Sequence, residues 1–189
     1  FDKDLYDIKL INAFGNVSLI SDQFNITAEG NKLLFRIENE EIIIEGTSSK
    51  LITDEIEMFS DEKIQVINLN GSFNLNGPNS ILKSQDILIE GSEIDGKFSS
   101  KNNPKEIIIL NVYDQNIAYI KSDNTEMFAK NIKYNKEISL IELEEDVKIL
   151  RGGEVIMGDY GTLDTKTNSY KIKSNDSNKV KAILKNNNE

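Results

Sequence analysis

The chain has no cysteine, no histidine and only 2 prolines in 189 residues. Without cysteine there is no disulfide framework, no thiol nucleophile and no cysteine-based metal site. Without histidine the commonest general base is missing as well. Basic residues are outnumbered: 22 Lys and Arg against 32 Asp and Glu give a formal net charge of −10. Nucleic-acid binding needs a basic footprint that displaces counterions, so no nucleic-acid partner is expected. The same sign disfavours adhesion to anionic membrane surfaces. No apolar run approaches the roughly 20 residues that a bilayer-spanning helix needs. The sequence begins at Phe1 rather than Met, and a signal or membrane anchor is expected upstream of it.

What is present is β-forming. Hydrophobic residues make up 38%, mostly Ile and Leu, with 8 Phe and 6 Tyr, too much β-branched and aromatic surface for a disordered chain. Apolar and polar residues alternate from end to end. Asn16-Val17-Ser18-Leu19, Asn25-Ile26-Thr27-Ala28 and Lys63-Ile64-Gln65-Val66 show the pattern. So do Ser72-Phe73-Asn74-Leu75, Asp146-Val147-Lys148-Ile149 and Lys179-Val180-Lys181-Ala182. Period-two alternation places one apolar and one wet face on each strand. Turn signals recur at the spacing of sandwiches and barrels: Gly15-Asn16, Glu29-Gly30-Asn31, Asn70-Gly71, Gly77-Pro78-Asn79, Gly91-Ser92, Asp95-Gly96 and Gly152-Gly153. An all-β domain of many short antiparallel strands is expected over residues 1–184, with a frayed tail at 185–189. The echo between Phe14-Gly15-Asn16-Val17 and Glu145-Asp146-Val147 points to a repeated strand unit.

Catalysis would have to come from carboxylates such as Glu38, Glu40, Glu41, Glu45, Asp61, Glu62, Glu142, Glu144, Glu145 and Asp146. Two of them at a set separation suffice for glycoside hydrolysis. Most alternate with Ile or Leu, which assigns them to the wet face. Glu144-Glu145-Asp146 lacks the spacing of a calcium loop. No enzyme activity, cofactor or metal is expected.

The order of these phrases resembles the OstA-like superfamily, which includes the periplasmic lipopolysaccharide-transport proteins LptA and LptC. The resemblance rests on Ala13-Phe14-Gly15-Asn16-Val17-Ser18-Leu19 near the start. In the C-terminal third it rests on Ala129 to Asn135, Leu143 to Ile149, Val155 to Tyr160, Leu163-Asp164 and Lys179 to Leu184. Ser49 to Thr53 and Phe59 to Ile64 are similar to LptC. Position 145 departs, carrying Glu where the family phrase usually has Gly. The resemblance implies a half-open twisted β-jellyroll in the periplasm, holding the lipid A acyl chains of lipopolysaccharide in an apolar groove. It also implies sheet extension, by end-to-end strand addition, to other β-jellyroll transport components or head to tail into a homo-oligomer.

The candidate inward, lipid-facing residues are Val17, Leu19, Ile26, Phe35, Ile64, Val66, Phe73, Leu75, Ile87, Ile89, Ile132, Tyr134, Val147, Ile149, Val155 and Met157. About half of them are expected to touch lipid, the rest serving as ordinary core. Residues 5–11 and 179–184 read as terminal strands, with Leu5, Ile8, Leu10, Val180, Ala182 and Leu184 as candidate assembly positions. Two other readings stand beside this one. One is a structural or adhesive β-solenoid-like surface protein with a closed core. The other is a glycan-active enzyme with an acidic pair in a cleft.

Overall fold

The computed structural model describes residues 8–22, 25–84, 87–99, 106–175 and 179–184, and none of these is helical. They form one antiparallel sheet of 14 strands. The first strands are β1 (Leu10–Ser21), β2 (Ile26–Arg36), β3 (Glu41–Glu45), β4 (Ser49–Ile52), β5 (Ile56–Ser60) and β6 (Lys63–Ile67). Six long strands follow: β7 (Ser72–Ser84), β8 (Ile87–Phe98), β9 (Ile107–Ser122), β10 (Thr125–Asn135), β11 (Leu140–Arg151) and β12 (Glu154–Asp164). The short β13 (Ser169–Lys173) and β14 (Lys181–Ile183) end the chain.

Each long strand breaks register near its middle, and the breaks line up. Pairing shifts between Phe14 and Val17 in β1, Asn76 and Ser80 in β7, Glu90 and Glu93 in β8, Ala129 and Asn131 in β10, and Glu144 and Val147 in β11. A bulge inserts an extra residue and bends the strand that carries it. The aligned bends fold one sheet into two facing layers joined along a seam. β2 shows the division: its C-terminal half pairs with β3 and its N-terminal half with β4. On the far side β7 receives β6 on its first half and β5 on its second. At the C-terminal end β13 and β14 pair with the two halves of β12, one in each layer.

Four of the seven expected turns are bends within strands, at Gly15, Gly30, Gly77 and Gly91. Asn70-Gly71 and Gly152-Gly153 are turns, but Gly15, Gly30, Gly77, Gly91 and Gly96 lie inside strands. A bulge and a turn both call for positive φ or a missing Cβ, so their local signatures coincide. The strands are therefore longer than expected, β9 reaching 16 residues. The echo between Phe14-Gly15-Asn16-Val17 and Glu144-Glu145-Asp146-Val147 is a shared bulge. Gly15 takes φ +92°, and Glu145 and Asp146 take +64° and +56°.

Side chains opposite each other across an antiparallel pair share a face, so the registers define ladders across the sheet. One inner ladder runs Ala13, Leu33, Ile44, Ile64, Leu75, Ile94, Val112, Ile132, Leu143, Gly161, Ile172. Its counterpart in the other layer runs Leu19, Ala28, Leu51, Met58, Leu82, Ile89, Ile120, Met127, Ile149, Ile156, Ala182. Both are apolar throughout, and their central members are buried. The outward positions carry ion pairs such as Lys32–Glu45 (2.8 Å) and Lys133–Glu144 (3.3 Å).

Candidate functional site

Along the seam the ladders turn small. The layer containing β4 and β5 presents Gly30, Ser49, Ser60, Ser80, Gly91, Ala118, Ala129 and Gly158 there, most of them buried. These residues let the layers converge. A Cβ on Gly30 would stand 2.5 Å from Ile44 Cγ2, and one on Gly91 2.7 Å from Val112 Cγ1, both in the facing layer. A Cβ on Gly158 would stand 2.4 Å from Ile172 Cγ2. The cross-section is a wedge, narrow at the bends. It widens toward the two rows of interstrand turns, which lie on the opposite side.

The wedge opens where β2 to β6 form its walls. A cavity of about 620 Å³ lies between the layers there, within the roughly 300–1,000 Å³ range of small-molecule sites. Phe35, Ile42, Val66 and Phe98 line it from one layer, and Ile26, Leu51, Ile56 and Met58 from the other. Ile37, in the turn after β2, completes the apolar lining. The mouth is polar: Asn25, Thr53, Asp54 and Glu55 lie on one lip, Glu40 and Asn68 on the other. Asn25 donates to Asp54 (2.7 Å) and Asn68 to Glu40 (2.6 Å).

Toward the C-terminal end the mouth changes character. The row beginning with Ile56 continues through Ser84, Ile87, Ser122 and Thr125 to Arg151 and Glu154. Opposite it the other layer brings Leu110, Tyr134, Ile141, Leu163 and Tyr170 to the mouth, closing the wedge with its own side chains. Burial is the main cause that raises the Tyr134 phenol above its ordinary pKa.

Most of the expected inward residues lie on the inner faces. Ile64, Phe73, Leu75, Ile89, Ile132, Val147 and Ile149 are buried core, and Val17, Leu19, Ile26, Phe35, Val66, Ile87 and Tyr134 pack against it half-buried. Of these, Ile26, Phe35 and Val66 line the cavity. Phe73 reaches its back wall through a ring contact with Phe98, centroids 4.4 Å apart. Val155 and Met157 are not inward. They pair with Leu150 and Lys148, and Ile156 takes the inner place opposite Ile149. The Gly-Gly hairpin sets that register, which the apolar run Val155-Ile156-Met157 leaves undecided. The outer face at Met157 belongs to a ladder containing Tyr119, Phe128 and Lys148, with Lys148 Nζ 5.3 Å from the Phe128 ring centroid.

Sequence reasoning missed Ile37, Ile42, Leu51, Ile56, Met58 and Phe98. Ile42 sits in Ile42-Ile43-Ile44, where alternation cannot choose a face. Of the assembly candidates, Leu5 lies outside the described residues. Ile8, Leu10, Val180 and Leu184 are exposed and large, and Ala182 pairs with Ile156 on β14. Among the described residues both ends of the sheet are edges: β1 pairs with β2 alone, and β13 and β14 with β12 alone.

Among the carboxylates considered for catalysis, Glu40 lines the cavity; Asp54 and Glu55 join it there. Glu144, Glu145 and Asp146 are paired with Lys133 and Lys130. Among the described residues no group of three or more acidic side chains is placed to hold a metal ion.

No family model matches the chain, and no curated protein matches it. The fold is nonetheless defined: two layers of antiparallel strands, bent over a common seam and open on one side, make a β-jellyroll of the LptA kind. Among solved structures the chain is similar to LptH of Pseudomonas aeruginosa, the LptA-homologous periplasmic component of its lipopolysaccharide transport device. The TM-score is 0.54 at 12% identity, covering 69% of this chain and 94% of that one. At that identity the likeness is one of fold.

Proposed function

We propose that the chain is a non-enzymatic periplasmic carrier of lipopolysaccharide, with residues 1–184 acting as one domain that receives lipid A acyl chains. The observation that carries this reading is the open apolar cavity between the β2–β6 walls. A closed core, as a purely structural protein requires, has no reason to leave Phe35, Val66 and Ile26 half-buried around empty volume. Burying an acyl chain there contributes roughly 0.8 kcal/mol per CH₂. The contact residues are Ile26, Phe35, Val66 and their neighbours in the lining, with Phe73 behind Phe98.

Assembly is by strand addition. Unpaired strand edges template pairing with another chain, and among the described residues β1 offers one while β13 and β14 offer two. Half-buried Ile11, Ala13, Val17 and Leu19 end the inner ladders at the β1 edge, where a second jellyroll continues the slot. The partner is another β-jellyroll transport component or a second copy of this chain.

The test is site-specific photocrosslinking to lipopolysaccharide. A crosslinker at Phe35 or Val66 is expected to label lipid strongly, and one at Phe73 or Ile149 more weakly. One at Lys148, on the outer face, is expected to stay unlabelled. Equal labelling of both faces refutes the reading. Loss of labelling after Val66→Trp, with the fold intact, places the lipid in the cavity.

A further inference from the structure

The mouth of the cavity carries a charge pattern that selects among lipids. Among the described residues, its lining contains three carboxylates, Glu40, Asp54 and Glu55, and no lysine or arginine. The hydrogen-bond donors to Glu40 and Asp54 are the side-chain amides of Asn68 and Asn25, which are neutral and leave the negative charge in place. Asp54 and Glu55 lie on one lip and Glu40 on the other, so a head group held at the mouth has carboxylates on both sides. The chain as a whole is acidic and offers no long-range compensation. We infer that the cavity prefers a single-chain segment of lipid whose adjoining head group carries a primary amine, and disfavours one that carries an uncapped phosphate.

This rests on the reading of the cavity as an acyl-chain site and names the head-group chemistry that such a site accepts. The apolar lining fixes the tail and is indifferent to the head. The lips act on the head alone. An ammonium near two or more carboxylates is attracted, and a phosphate monoester at the same point is repelled. Near a protein surface, where the effective dielectric is well below that of water, such terms reach kcal/mol size at contact distances. They fade with salt, because the Debye length falls from about 10 Å at 0.1 M to about 3 Å at 1 M. Lys83 lies beyond the Asp54–Glu55 lip. It shares a shallow outer pocket with Asp54 and Glu55 but lines no part of the cavity, and its ammonium stands over the Phe59 ring and 3.8 Å from Glu57.

The experiment compares three probes with one C10 tail below their micelle concentrations: a maltoside, a primary ammonium and a phosphate monoester. Binding to the full chain is measured by isothermal titration calorimetry at low and high salt. The expected order of affinity is ammonium, then maltoside, then phosphate. At low ionic strength the first and last should differ by about tenfold, with the gap closing in 1 M salt. The double variant Glu40→Gln, Asp54→Asn is expected to collapse the spread toward the maltoside value. If that variant does not fold, the salt series on the unaltered chain decides. Phosphate binding as tight as ammonium binding, or a spread that neither salt nor neutralisation reduces, overturns the inference. In both cases maltoside binding leaves the acyl-site reading intact. Failure of all three probes, maltoside included, refutes the acyl site itself and the inference with it.

Discussion

Gly91 offers a direct test of the wedge. It sits at the bend of β8, buried at the seam, and pairs with Ser80. Its φ lies outside the left-handed region, so alanine meets no backbone penalty there. The obstacle is steric: the new Cβ would stand 2.7 Å from Val112 Cγ1 and 3.1 Å from the Tyr113 carbonyl oxygen. One of these is a side chain in the facing layer and the other is backbone, so the layers must part slightly. Overpacking of this kind costs about 1–3 kcal/mol. The lowered entropy of the unfolded chain returns about 0.4–1 kcal/mol of it. A net loss of about 1–2 kcal/mol corresponds to a fall in Tm of about 2–8 °C for a chain of this size. Val112→Ala removes the closer obstacle while opening a cavity of its own, at about 2 kcal/mol. The double variant should then be about 1 kcal/mol more stable than the sum of the singles predicts. Urea denaturation followed by circular dichroism measures all four corners of the cycle. Additivity within about 0.5 kcal/mol, or a Gly91→Ala protein as stable as the parent, refutes the claim that seam glycines exist to bring the layers together.

Other outcomes follow from the same geometry. Glu145→Gly should raise Tm, because a left-handed residue with a side chain costs roughly 1–2 kcal/mol, and this gain outweighs the lost exposed ion pair to Lys130; a lower Tm in a thermal melt contradicts that ranking. Val66→Trp should weaken binding of an alkyl maltoside about tenfold by filling the cavity, since roughly 1.4 kcal/mol of apolar contact is a factor of ten; unchanged affinity in calorimetry places the tail elsewhere. Asp164 accepts backbone hydrogen bonds from Thr167 and Lys166 (both 2.9 Å), and the Thr167 bond first, then Lys166, holds its carboxyl below the usual range. Its folded pKa is lowered, so its contribution is present above the ordinary carboxylate pKa and lost as pH falls through the lowered value. Asp164→Ala should therefore lower Tm at pH 7 and match the parent near pH 2; an equal deficit at both pH values rules out the charge as its cause.

Alternation and turn chemistry in the sequence were enough to establish an all-β chain and the faces of most strands. Ile64 and Val66, Phe73 and Leu75, and Val147 and Ile149 all lie where period two puts them, because a strand's side chains must alternate whatever its neighbours do. Ordered phrases such as Ala13-Phe14-Gly15-Asn16-Val17 pointed to the jellyroll, since its bends need the same residues at each bulge. Where periodicity is locally degenerate the reading failed. Val155-Ile156-Met157 offers two faces, and only pairing with β11 chooses Ile156. Glycines inside strands looked like turns for the same reason: one residue's conformational freedom does not say whether the chain reverses or bends. The cavity itself belongs wholly to tertiary structure. Ile26, Phe35, Leu51, Met58 and Val66 come from four strands, and no local pattern tells an apolar residue facing a void from one facing a neighbour. That difference depends on the spacing between two layers, which the small seam residues fix on one side and the turns leave open on the other.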